Sequence, residues 1–333
     1  MRDFKSFSER LSTMDRDSFE DLALDLFRFQ STENEVYKAY LKARKIDAGQ
    51  VRSLEAIPFL PIRFFKDFSV VCGDETDFSS FYSSSGTTGA ITSKHFIWSE
   101  SWYLRHAQRI FEGQFGSLRD FHVLALLPAY LERPGSSLVA MAKHFIEQSE
   151  SGSEHSGFYL YNQDELLRKM DLLRGGDRKV LLLGVTFALL DLAESGRDFF
   201  PMENLLVMET GGMKGRRKEM IREEVHDILR GFFGLKAIHS EYGMTELMSQ
   251  AYSKGEGKYT LPTSMRVMLR DVNDPLSWSS RSQGGINVID LGNFHSCAFI
   301  ETQDLGRFDE NGFLEVLGRF DNSEIRGCNL MVQ

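Results

Sequence analysis

Residues 83 to 89 read SSSGTTG: three serines, two threonines and two glycines in seven positions. Glycine lets a backbone approach its ligand closely, and turn N–H groups with hydroxyls can converge on phosphate oxygens. The same composition also makes an ordinary solvent turn. The GK[ST] ending of a Walker loop is missing, so a phosphate cradle here would be of another kind. Other polar stretches follow apolar runs: PAY at 128–130, GVTF from 184, ETGG from 209 and EYGMTE from 241. The three cysteines, Cys72, Cys297 and Cys328, include no CxxC pair, and the eight histidines show no zinc spacing. His239 reads as a core histidine, and Cys72 and Cys297, in apolar runs, as buried thiols.

Those stretches need elements to position them. DSFEDLALDLFRFQ and NEVYKAYLKAR place Phe19, Leu22, Leu26 and Phe29, then Val36, Tyr37, Tyr40 and Leu41, at helical spacing. A proline-bearing connector, AIPFLPIRFF, follows. Beyond about residue 78 short apolar runs (HVLALLP, KVLLLG, NLLVMETGG, KAIHSEYG) alternate with helical patterns over 136–147, 165–174 and 216–231. That alternation predicts an α/β fold with a doubly wound, mixed or parallel sheet, whose ligands sit beyond the carboxyl ends of the strands. After about residue 259 the helical patterns stop, and SMRVMLRDV, GGINVIDLG, CAFIETQDLG and FLEVLGRF predict a small antiparallel β subdomain. The expected division is a helical region over 1–77, a nucleotide- and acyl-binding core over 78–258 and the β subdomain over 259–333. With 42 % hydrophobic residues the chain can bury a sizeable core, and its net charge of −9 speaks against nucleic acid. No apolar run approaches the ~20 residues of a membrane span, the charged N-terminus lacks a signal-peptide core, and cysteine usage suits a reducing, cytoplasmic setting.

SSSGTTG, EYGMTE at 241–246, TQDLG at 302–306 and GRFD at 318–321 occur in one order along roughly residues 78 to 327. This set resembles the adenylate-forming superfamily, which includes acyl-CoA synthetases, nonribosomal adenylation domains and firefly luciferase. The resemblance implies binding of ATP and Mg2+ and an AMP-bound intermediate. By it, Ser84, Ser85, Thr87 and Thr88 donate to the pyrophosphate, while Gly86 and Gly89 admit the backbone. Glu241, Tyr242 and Gly243 line the nucleotide, with the Tyr242 ring on adenine, and Gly211 and Gly212 form the opposite wall. Thr245 contacts the α-phosphate and Glu246 holds the metal, a role one carboxylate can fill for magnesium. Asp304 accepts from the ribose hydroxyls, although Gln303 stands where the family has glycine and a turn-capping role stays open. Arg319 lies near ribose and phosphate, and Asp321 marks the hinge before a mobile C-terminal domain. GVTFALL resembles the acyl-pocket segment or is core.

Two departures matter. Lys94 follows Gly89 by five residues rather than the family's three, so it either reaches the pyrophosphate or is a surface lysine. The sequence stops at Gln333, so the mobile C-terminal domain and its lysine are expected to be absent, with Lys214 or Arg326 as replacements. The short chain, ETGGMKG and the terminal SEIRGC resemble the acyl-protein synthetases of bacterial bioluminescence, the LuxE family. That branch implies fatty-acid activation, transfer to a cysteine, here Cys328, and a partner acyl-transferase, reductase or carrier protein. Coenzyme A as the acceptor, and a non-catalytic nucleotide-binding subunit, are the alternatives.

Overall fold

The computed structural model describes residues 4–84, 92–127, 135–149, 154–159, 161–211, 220–280 and 282–319. Of the candidate residues, Ser85, Gly86, Thr87, Thr88, Gly89, Gly212, Lys214, Arg326 and Cys328 lie outside them, as does Asp321. The N-terminal region is helical: α1 (Phe4–Thr13), α2 (Phe19–Glu33) and α3 (Glu35–Ala43). Glu20 and Asp21 complement the start of α2, and the Asn34 side chain caps α3 by accepting from the Tyr37 N–H at 2.9 Å. Phe19, Leu22, Leu26, Tyr37 and Leu41 are buried, the stripe that the helical spacing requires. The connector forms β1 (Leu60–Pro61) and the short α4 (Phe64–Asp67). A separate two-stranded hairpin, β2 (Ser80–Ser83) and β3 (Lys94–Ile97), follows.

The alternating part contains α5 (Glu100–Phe115), β4 (Phe121–Leu126), α6 (Ser137–Gln148), β5 (Gly157–Tyr159), α7 (Gln163–Leu173), β6 (Lys179–Gly184), α8 (Thr186–Ala193), β7 (Leu205–Glu209), α9 (Arg222–Phe233) and β8 (His239–Tyr242). β5, β4, β6, β7 and β8 are mutually parallel in that spatial order. Val180 to Leu183 are buried throughout, as expected of a strand covered by helices on both faces. Helix α9 stops at Gly234, whose φ of +65° suits glycine and whose N–H returns to the Arg230 carbonyl.

The antiparallel strands are β9 (Ala251–Ser253), β10 (Lys258–Thr260), β11 (Met265–Arg270), β12 (Gln283–Asp290), β13 (Phe299–Phe308) and β14 (Leu314–Arg319). They continue the same sheet: β8 pairs with β9, β9 with β10, β10 with β14, and β14 through β13 and β12 to β11. β1 joins in parallel beside β13 at Ile300 and Glu301. The described strands thus make one twelve-stranded mixed sheet plus the hairpin. No helix among the described residues is long and apolar enough to cross a membrane.

Candidate active site

The β2 and β3 strands flank the hydroxyl motif in the sequence and pair antiparallel. Ser83 pairs with Lys94, and one step outward the Ser84 N–H donates to the Ser93 carbonyl at 3.1 Å while the Ser93 N–H donates to Ser84 Oγ at 3.0 Å. Ser84 therefore closes the base of the loop. Lys94 is exposed, and its ammonium stands 5.2 Å over the Phe81 ring.

EYGMTE begins in β8 and runs off its carboxyl end, where an open α/β sheet offers its ligand positions. The Leu247 N–H closes a turn onto the Met244 carbonyl, which places Thr245 and Glu246 on its bend. Glu246 is buried, and its Oε1 accepts a 2.5 Å hydrogen bond from Ser93 Oγ. Burial raises its carboxyl pKa, and the Ser93 hydroxyl works against that rise. This contact joins the hydroxyl-loop stem to the TE segment, 153 residues apart.

The Tyr242 hydroxyl donates to Asp304 Oδ2 at 2.8 Å, and Arg319 Nε donates to Asp304 Oδ1 at 3.2 Å. Register explains the second contact, because Asp304 of β13 lies opposite Arg319 of β14. It does not explain the first. β9, β10 and β14 separate β8 from β13, about 19 Å in a flat sheet at ~4.8 Å per step. The sheet curls to bring them together. Burial, then the Asp304 charge, holds the Tyr242 phenol well above its usual range, so the hydroxyl keeps its proton.

Strand alternation turns Glu241 away from Tyr242, toward Tyr103 and Tyr252. Burial, and secondarily the Glu209 charge, pushes its carboxyl up to about 8. A Cβ at Gly243 would press on that carboxyl and require it to move. Gly211, the third residue of ETGG, adopts φ +74°. Glu209 fixes this segment: its Oε2 accepts from the Gly211 N–H at 2.7 Å and from Thr186 Oγ1 of GVTF at 2.8 Å. Although burial works to raise the Glu209 carboxyl, His226, Arg222 and Ser240 bring it down to about 2.

Several supports were not visible in the sequence motifs. His95 Nδ1 bonds the Thr245 carbonyl at 2.8 Å and therefore carries the proton. Burial lowers its pKa to about 4, so the ring is neutral, and it stacks on His295 at 5.6 Å and 8°. Asp290 accepts from the Met248 N–H (2.7 Å), the Ser249 N–H (2.9 Å), Ser249 Oγ (2.7 Å) and the Gly292 N–H (3.0 Å). Asn293 Nδ2 donates to the Glu246 carbonyl at 2.9 Å, and Gln30 of α2 in turn holds the Asn293 carbonyl at 2.7 Å. Only the alternation of GGINVID, which ends on Asp290, hinted that this carboxylate follows a buried strand. His239 lies against Phe115 at 5.6 Å. Cys72 and Cys297 are buried, and burial pushes the Cys297 thiol up to about 12.

No protein-family model matches the chain. Over 68 residues it is 32 % identical to the long-chain-fatty-acid–luciferin-component ligase of Photorhabdus luminescens, a match covering 20 % of this chain and 58 % of that protein. The structure resembles that of ATP-bound MatB from Rhodopseudomonas palustris with a TM-score of 0.53 and 18 % identity, over 76 % of this chain and 50 % of MatB. It also resembles 2-hydroxyisobutyryl-CoA ligase, in complex with 2-HIB-AMP in the postadenylation state, with a TM-score of 0.67 and 14 % identity, over 92 % of this chain and 68 % of that one. The chain thus spans about half to two thirds of the length of these relatives. Its fold is that of the adenylate-forming ligases, the superfamily that the four motifs resemble.

Proposed function

Taking the adenylate-forming fold as premise, we propose that this protein activates a carboxylic acid with ATP, releasing pyrophosphate, and passes the acyl group to a thiol. The observation that carries this reading is the meeting of two pairs distant in sequence, Ser93 with Glu246 and Tyr242 with Asp304. The relatives' own names, an ATP-bound protein and a ligase bound to an acyl-AMP, support it.

In this reading the Tyr242 ring supports adenine, and Asp304, held from both sides, receives the ribose hydroxyls. Ser84 and the hydroxyls of residues 85–89 receive the phosphates, with Gly86 and Gly89 giving access. Thr245 donates to the α-phosphate as the acid's carboxylate attacks, and Lys214 offers positive charge there. Among the described residues no cluster of three or more His, Cys, Asp or Glu could cage a metal. A single buried carboxylate with one oxygen already hydrogen-bonded instead suits magnesium, which takes few protein ligands and completes its shell with phosphate and water. Bound at Glu246, that ion would neutralise developing phosphate charge. Catalysis by the chain's own residues then rests on positioning and preorganised donors.

For the acid, the name of the matching luciferin-component ligase supports a fatty acid; for the acceptor, the resemblance of the terminal SEIRGC to the LuxE family suggests Cys328. Cys328 lies seven residues past Asp321 in the sequence, at most ~25 Å of extended chain, and Arg326, two positions before it, would favour the attacking thiolate. A relative solved with 2-HIB-AMP and CoA in the thioesterification state supports coenzyme A as the acceptor instead. Incubation with ATP, Mg2+ and a labelled fatty acid tests the choice. The Cys328 route predicts hydroxylamine-sensitive label on the peptide containing Cys328 and none in Cys328→Ser. Unlabelled protein that forms acyl-CoA at the same rate in both forms contradicts it.

A further inference from the structure

A cavity of about 110 Å3 opens between the turn after α3, the connector before β1, the loop joining β11 to β12, and strands β12 and β13. Among the described residues, none of those proposed above for nucleotide or metal lines it. At 10–15 Å3 for one water it has room for roughly seven to eleven water-sized groups, which is the size of a small metabolite. One wall is already built. Trp278 Nε1 donates to the Glu55 carbonyl at 3.1 Å, and the indole meets the Phe59 ring edge-on at 5.8 Å. The loop carrying Trp278 is tied by its own backbone, the Ser277 N–H to the Asp274 carbonyl at 3.0 Å and the Asp271 N–H to the Ser277 carbonyl at 2.8 Å. A preformed wall spares the ordering cost of closing over a ligand.

Three polar groups of this cavity have bonding capacity left over. Asn287 of β12 is only 3 % exposed, and its Oδ1 accepts from Arg270 Nη1 at 2.9 Å, while its Nδ2 has no partner among the described residues. The Glu301 carboxylate of β13 accepts no hydrogen bond among the described residues and stands 3.8 Å from Arg270 Nε. Arg44 gives one N–H to the Tyr40 hydroxyl at 3.1 Å, which leaves most of its five donors. Its charge, with that of Arg270, opposes the burial-driven rise of the Glu301 carboxyl. Asn287 and Glu301 are register partners, so an open donor and an open acceptor lie side by side, about 5 Å apart at Cβ. Polar groups held out of water in this way are costly until something pairs with them.

We propose that this cavity binds a free small α-amino acid, with its carboxylate on Arg44 and Asn287 Nδ2, its ammonium on Glu301, and a short apolar side chain against Ile46 and the Phe59 and Trp278 rings. Adjacent donor and acceptor match a ligand whose carboxylate and ammonium share one carbon. Glu55, exposed on the same cavity, offers the ammonium a second carboxylate. The site stands apart from the acid-activation reading and does not depend on it.

Titration calorimetry with glycine, L-alanine and L-valine tests the proposal, with propionate and propylamine as ligands carrying one charge each. L-Alanine or L-valine should bind at least about tenfold more tightly than either single-charge compound. Glu301→Gln and Arg44→Met should each weaken that binding by about tenfold or more, and Arg44→Lys should recover part of the loss. Asn287→Asp keeps an acceptor for Arg270 but loses the donor, and should weaken binding as well. Arg44→Met leaves the buried bonds of Arg270 in place, so it reads the site even where Glu301→Gln unsettles the strands. No binding of any of the three amino acids at millimolar concentration overturns the proposal. So does equal affinity for propionate or propylamine, or wild-type affinity in Arg44→Met.

Discussion

Tyr242 carries two functions in one side chain, a ring proposed for adenine and a hydroxyl bonded to Asp304. The ring was legible in the sequence because EYGMTE names its position. The hydroxyl's partner was not, since Asp304 lies 62 residues away and reaches it only through the curl of the sheet. Two substitutions separate the functions. Tyr242→Ala removes the stacking surface and should weaken ATP binding by about 1–3 kcal/mol, by analogy with base–aromatic stacking. Tyr242→Phe keeps the surface and removes one of the two donors to Asp304, a net hydrogen bond worth about 0.5–1.5 kcal/mol. Titration calorimetry with ATP should therefore rank wild type, Phe and Ala in falling affinity. If Ala binds ATP as tightly as Phe, the ring is not the adenine platform.

At the scale of elements, the segment after β8 has no helix or long strand to hold Thr245 and Glu246. It relies on a buried carboxylate. Asp290, at the end of β12, takes two backbone N–H groups and a hydroxyl from Met248 and Ser249, while Asn293 holds the Glu246 carbonyl. Apolar alternation marks β12 as a strand, but no local pattern says that its terminal aspartate serves a turn 41 residues earlier. Removing that acceptor strands buried donors, each costing about 1–3 kcal/mol. Asp290→Ala should accordingly lose about 2–5 kcal/mol of unfolding free energy. Asp290→Asn, which keeps an acceptor oxygen, should lose less. A denaturant midpoint for Asp290→Ala that matches wild type would show that the latch does not hold this segment.

Across the whole molecule, one mixed sheet carries the parallel strands that present EYGMTE and the antiparallel strands that present Asp304 and Arg319. The strand runs and helical stripes were readable because each is a local periodicity of period 2 or 3.6. That the antiparallel strands extend the same sheet was not readable, because it depends on β8 pairing with β9 and β10 with β14 rather than on any local pattern. The Ser93–Glu246 contact escaped for the same reason: tertiary proximity leaves no signature in spacing. The proposed activity depends on that assembly, and ATP–pyrophosphate exchange driven by an added carboxylic acid tests it most directly. Wild-type protein with Mg2+ should incorporate labelled pyrophosphate into ATP only when an acid is present, and Glu246→Gln should slow this on the order of 100-fold by removing the metal's proposed carboxylate. No acid-stimulated exchange across a panel of fatty and aryl acids, or wild-type exchange in Glu246→Gln, would contradict the account.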